Sequence, residues 1–227
     1  MTAAATPEAK HTFTGCPSRG AAAADPMHED RSQAGRASWV ARWARELLEE
    51  MALFPLADEP LNCRCRAFRV LCDSPFHPSC CVTLYDLDGL GEVYCVYGCP
   101  GRFMEFRAEV PADHLDALRD ELLRLEPGAL EDAIEGNGRD GMVLYGEVQD
   151  DELAHSWHLW TAVVDGPMPR HHRYCALLLG SIAERTADAA LRELVGTLCR
   201  LLHQGLESPR PRGTGSETSD THGEDQA

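Results

Sequence analysis

The residues able to do chemistry fall into two stretches. In the first, Asp140 and Gly141 are followed by Glu147, His155 and His158. Residues 140–149 and 154–164 both have strand character, and the polar break at 150–152 would join them as a hairpin. Side chains alternate across a strand, so Val143, Tyr145 and Glu147 share one face, while His158, Trp160 and Ala162 share a face of the second strand. A carboxylate opposite an imidazole makes a charge-assisted pair, and the same two groups can serve as a general acid–base couple. Glu147 and His158 are the candidate catalytic residues, with His77 or Asp140 nearby if a metal assists. The competing expectation is a structural pair on a solvent-facing sheet. It is favoured because no nucleophile is placed beside the pair. The chain also contains no Gly-x-Ser-x-Gly, no phosphate loop and no His-Glu-x-x-His. His171 and His172 open a helix and add little to either reading.

The second stretch holds cysteines at 63, 65, 72, 80, 81, 95 and 99. Zinc needs ligands converging to about 2.3 Å from one ion, usually through paired Cys-x2-4-Cys knuckles. Cys80 and Cys81 are adjacent and would point to opposite faces of a strand. Cys95 and Cys99 would lie ~13 Å apart in an extended chain, too far for one ion unless a turn folds Cys99 back. The alternative metal set is Cys63, Cys65 and His77, with zinc as the ion. The preferred expectation is no cofactor and reduced cysteines used as small apolar residues, a role that also suits Cys175 and Cys199. Arg64 and Arg66 flank Cys63 and Cys65 and would lower the pKa of an exposed thiol there.

The chain carries a net charge of −16, and residues 37–206 hold −13 of it. Such a body repels nucleic-acid phosphates and anionic membranes, and complements a basic protein surface. No window reaches the length of a membrane-spanning helix, and the first residues lack the apolar run of a signal peptide. The expected location is the cytoplasm, where thiols stay reduced. A single lysine, Lys10, against twenty arginines fits a GC-rich bacterial coding sequence.

These residues need elements to hold them. Residues 1–36 and 207–227 are rich in small, polar and charged residues without periodicity and read as disordered tails around one domain, 37–206. A helix is expected from an N-cap at Ser38 to Pro55, with Trp39, Trp43, Leu47 and Met51 on one stripe. Strands follow at 66–72, 80–87, 92–98 and 103–109, then a helix over 112–125. Residues 126–139 read as irregular. The hairpin comes next, and helices at 171–184 and 187–204 close the domain. Strands without β–α–β alternation predict an α+β fold, an antiparallel sheet of five to six strands (meander plus hairpin) with helices on one face.

Phe76-His77, Asp140-Gly141, Glu147 and Trp157-His158 match short motifs of a family of small bacterial α+β proteins, which the chain resembles over about 66–183. The Arg-Trp-x-Pro that usually follows the histidine is replaced here by Leu159-Trp160-Thr161-Ala162. The resemblance implies the fold; the family has no settled activity to carry over. The functional expectation is a cytoplasmic protein-binding protein without catalysis, of immunity or antitoxin type, that neutralises a basic partner. The alternative is a hydrolase-type enzyme using Glu147 and His158, with or without a metal.

Overall fold

The computed structural model describes residues 33–59, 65–133, 142–161 and 170–204. Six strands form one antiparallel sheet: β1 (Cys65–Ser74), β2 (His77–Leu87), β3 (Leu90–Cys99), β4 (Arg102–Val110), β5 (Met142–Gln149) and β6 (Ala154–Thr161). Their order across the sheet is β4-β3-β2-β1-β5-β6. Four helices are described with it: α1 (Gln33–Glu50), α2 (Ala112–Arg124), α3 (Arg170–Ala183) and α4 (Ala189–Gln204). This is the α+β meander-plus-hairpin expected from the sequence. None of these helices is long and apolar enough to cross a membrane.

The turns follow from residue chemistry. Asp88 and Gly89 form the two-residue link of β2 and β3, both at positive φ (58° and 87°). That is the type I′ geometry which matches strand twist and favours Asp-Gly. The β1–β2 hairpin is longer than the sequence suggested, with Ser74 paired to His77 around Pro75-Phe76. The tip, residues 73–79, is largely polar and holds Pro75 and Pro78, so it reads as turn and not as continued strand.

Two corrections concern helices. α1 begins at Gln33, inside the stretch read as a tail, so Ser38 is a helical residue and not an N-cap. The helices also do not all lie on one face. α2, α3 and α4 cover Phe68, Val70, Cys80, Val82, Cys95 and Leu144. α1 covers the opposite face, packing Val40, Ala44 and Leu47 against Leu71, Cys81, Val96 and Tyr145. The reason lies in β1 and β2, whose residues are buried on both sides, as a strand sandwiched between two layers must be.

Cys80 and Cys81 enter opposite layers, as alternation requires. Seven described cysteines, among them Cys65, Cys72, Cys95, Cys175 and Cys199, are free thiols. Cys99 departs from the expectation of reduced cysteines throughout: it is disulfide-bonded. It is the last residue of β3 and is buried there.

Candidate functional site

Glu147 stands on β5 directly opposite Arg69 of β1. Arg69 is fully buried. Its Nη1 donates to Glu147 Oε2 at 3.1 Å, and its Nε donates to Thr83 Oγ1 at 2.8 Å. Its Nη2 donates to Glu59, and Nη1 also donates to the Phe54 carbonyl. Burial opposes the guanidinium charge, but the neighbouring Cys81, Glu147 and Glu59 outweigh it and hold the Arg69 pKa above its ordinary value. The other oxygen of Glu147 accepts the Leu56 backbone N–H at 2.9 Å. Tyr85 donates to Glu59 at 3.0 Å, and burial pushes its own pKa up to about 12. The network therefore ties the segment 54–59, which follows α1, onto the sheet.

His158 lies on β6 opposite Tyr145, with ring centroids 5.0 Å apart. Its backbone N–H donates to Asp132 Oδ1 at 2.8 Å, and its Nδ1 is 3.0 Å from the same oxygen. Asp132 is thus the carboxylate partner of His158. It escaped sequence analysis because residues 126–139 carry no periodicity to place a side chain. Asp132 reaches the site because the next residue, Ala133, bonds by its backbone to His158 and Trp160 of β6.

Glu147 and His158 do share a sheet face and line one cavity, of about 320 Å³, between α1, the 55–58 turn and the β5–β6 hairpin. Arg45, Asp58, Tyr145 and Ser156 also line it. The two residues are not in register, however. Glu147 pairs with Ser156 and His158 with Tyr145, and each bonds a partner of its own. The expected Glu–His couple is replaced by two separate pairs, Arg69–Glu147 and Asp132–His158. Burial, reinforced by the charge of Glu147, raises the Tyr145 pKa, so its hydroxyl stays protonated.

The alternative metal set does not assemble. Cys65 opens β1, and His77 pairs with Ser74 at the other end of that strand. The extended chain between them separates these ends by ~30 Å. Cys63 and Asp140 lie outside the described residues, which contain no group of three or more potential metal ligands. His155 is held by the Leu130 carbonyl at 2.7 Å, and His171 by the Glu131 carbonyl at 2.9 Å.

A second cavity, of about 510 Å³, opens at the end of the sheet where β2 turns into β3 and β5 into β6. Asp86, Asp88, Asp150, Asp151 and Glu152 line it with Arg66 and Arg119, so five carboxylates face two guanidiniums. Arg66 bonds Asp150 at 3.3 Å and Arg119 bonds Asp86 at 3.1 Å. Asp151 and Glu152 are exposed at the hairpin tip. In the sequence, residues 150–152 read as a hairpin turn and Arg66 as a neighbour of Cys65, with nothing to bring them to one place. The topology, which sets β1 between β2 and β5, gathers them.

No protein-family model matches the chain, and no curated protein matches it. The family resemblance therefore rests on the short motifs alone.

Proposed function

We propose that the protein is a non-catalytic binding protein, of immunity or antitoxin type, whose acidic sheet end receives a basic segment of a partner protein. The observation that carries this reading is the cavity of about 510 Å³ with its five carboxylates and two arginines. Both arginines are engaged by carboxylates of that cavity, so Asp151 and Glu152 remain to attract an incoming guanidinium or ammonium. Complementary charge of this kind speeds association and disfavours acidic competitors. The chain's net charge of −16 extends the attraction beyond the cavity.

The test uses an arginine-rich peptide as probe, followed by calorimetric titration at low and high salt. Wild-type protein binds it with an affinity that falls as salt rises. Asp151→Lys with Glu152→Lys removes binding while the fold, followed by circular dichroism, is retained. Equal binding by the variant and the wild type, or none by the wild type, removes the proposal.

A second reading is favoured by one specific contact. Asp132 holds Nδ1 of His158, the arrangement that orients a histidine as a general base. In a hydrolase of this kind Asp132 replaces Glu147 as the orienting carboxylate, because Glu147 is committed to Arg69 and Leu56. Hydrolysis of an activated ester by wild type but not by His158→Gln supports that reading. Equal background rates exclude it for that substrate class.

A further inference from the structure

The two edges of the sheet are treated differently by the chain. At the β6 edge, Ala133 donates its N–H to the His158 carbonyl at 2.8 Å and accepts from Trp160 N–H at 3.1 Å. Asp132 takes the His158 N–H as well. That edge is capped over its middle. At the opposite edge, β4 pairs with β3 along all nine of its residues. Among the described residues, no backbone group bonds to its outer side. A long strand with an open row of donors and acceptors is a template for another strand.

Edges are guarded against pairing by short length, proline, bulges or charged side chains, lysine above all. β4 pairs over nine residues without a bulge, and its charges are of both signs, so that a copy of the same strand can satisfy them. Its sequence, Arg-Phe-Met-Glu-Phe-Arg-Ala-Glu-Val, has no proline, and its two arginines and two glutamates cancel in a chain of net charge −16. Glu105, Arg107 and Glu109 lie on the α1 side, where Arg107 sits over the Tyr94 ring at 4.3 Å and 3.7 Å from Glu92. Met104, Phe106 and Ala108 face the other layer and are only partly buried against it.

We propose that two copies of the chain associate through β4, antiparallel about Phe106, to form one continuous sheet. The register follows from two independent requirements that agree. Phe106 is the middle residue of β4, so centring there pairs the whole strand with its copy. The same register sets Glu105 opposite Arg107 of the second copy, and by symmetry Arg107 opposite Glu105, two opposite-charge cross-strand pairs. It also sets Phe106 opposite its own copy and Met104 opposite Ala108, which covers apolar surface left partly open in one chain. Moving the centre to Glu105 or Arg107 places that residue opposite itself, and like charges directly opposite are destabilising. The face assignment is kept, so the helical layers of the two copies lie on the same side.

The test is sedimentation equilibrium of four samples: wild type, two single variants and their double variant. Wild type sediments as a dimer that dissociates on dilution. Glu105→Arg turns each cross-strand pair into two facing arginines, Arg107→Glu turns it into two facing glutamates, and each variant alone runs at half the wild-type mass. An equimolar mixture of the two single variants runs as a dimer, because each then supplies the charge its partner lacks. The double variant, with both exchanges in one chain, also runs as a dimer. A wild type that is monomeric at every concentration overturns the proposal. So do single variants that stay dimeric, or folded single variants whose mixture stays monomeric. Should a single variant fail to fold, amide exchange on wild type decides. Protection in β4 that rises with concentration supports the interface, and protection that does not change with concentration overturns it.

Discussion

The two faces of the sheet are built on different physics, although adjacent residues of the same strands supply them. On the face under α2, α3 and α4 the packed cluster is aliphatic, aromatic and thiol; His172 and Ser181 are buried polar side chains of α3, and the Asp86–Arg119 pair stands at the layer's edge, in the acidic cavity. On the face under α1 the same strands contribute Arg69, Thr83 and Glu147, joined by Glu59 and Tyr85. The first layer is held by area removed from water, which is non-directional and tolerant. The second contains charges that are acceptable only while every partner is present. Its directional bonds also fix where the 54–59 segment lies, and that segment forms one wall of the cavity holding His158. The difference shows how a chain can use burial for adhesion at one face and for placement at the other.

Breaking the ionic face has the largest expected effect. Arg69→Ala leaves Glu147 buried without its cation, and losing one partner of a buried pair costs ~3–5 kcal/mol. Urea denaturation measures it directly. Replacing both charges, with Arg69→Met and Glu147→Leu, recovers part of that loss because neither charge is then stranded. If the double variant is as unstable as the single one, the value of the network lies in its bonds to Phe54 and Leu56 and not in the ion pair.

The neighbouring residue probes the other face. Gly146 pairs with Trp157, and a Cβ at position 146 would lie 2.2 Å from the indole ring. Gly146→Ala therefore forces the indole out of its place, and overpacking of this kind costs ~1–3 kcal/mol. The effect should be smaller than that of Arg69→Ala because an apolar layer can repack while a stranded charge cannot. A larger cost at Gly146, in the same denaturation assay, would reverse the ranking of the two faces.

These contrasts also show what the sequence made legible. Alternation over 80–87 placed Cys80 and Cys81 on opposite faces, and the leucine stripes placed α2, α3 and α4 against the sheet. The same alternation put Glu147 and His158 on one side. It did not reveal that Glu147 would meet Arg69, because the two lie 78 residues apart and only the strand order brings them together. Asp132 was illegible for a different reason. A single backbone bridge at Ala133 carries it to β6, and such a bridge leaves no periodic trace. Arg69, set between Phe68 and Val70 in the apolar middle of its strand, was the local sign of a buried carboxylate partner.

A third effect depends on pH. His172 opens α3 with 1% of its surface exposed, and neither ring nitrogen has a hydrogen-bond partner among the described residues. Burial, with the nearby His171 and His203, lowers its pKa from 6.5 to about 4. The unfolded chain regains the ordinary value and takes up a proton that the folded chain refuses. Stability from this group is thus complete above the unfolded pKa and declines as pH falls from 6.5 towards 4. His171 shifts in the same direction, again through burial. His172→Leu should flatten the fall in denaturation midpoint over that window, and an unchanged slope would show that other groups dominate it.

The smallest effect changes no stability and compares the faces most directly. Burial pushes the thiol of Cys81 up to about 12 and those of Cys72, Cys95 and Cys175 well above their ordinary value. Alkylation requires the thiolate, so none of these reacts until its layer opens. Cys65, half-buried at the rim of the acidic cavity, should be the first of the free thiols in the described residues to be modified. Cys199, partly exposed and raised by burial to about 11, should follow. The informative pair is Cys80 and Cys81, consecutive residues that enter opposite faces, Cys80 with its sulfur 3.6 Å from that of Cys95 and Cys81 beside Arg69. One helix covers Cys81, whereas three cover the layer of Cys80, and local opening is cheapest where the fewest contacts must break. Peptide-resolved alkylation under native conditions should therefore label Cys81 ahead of Cys80. Simultaneous labelling would mean that the Arg69 network binds α1 and its following turn to the sheet as firmly as the apolar layer binds α3 and α4, and that both faces open only when the whole domain unfolds.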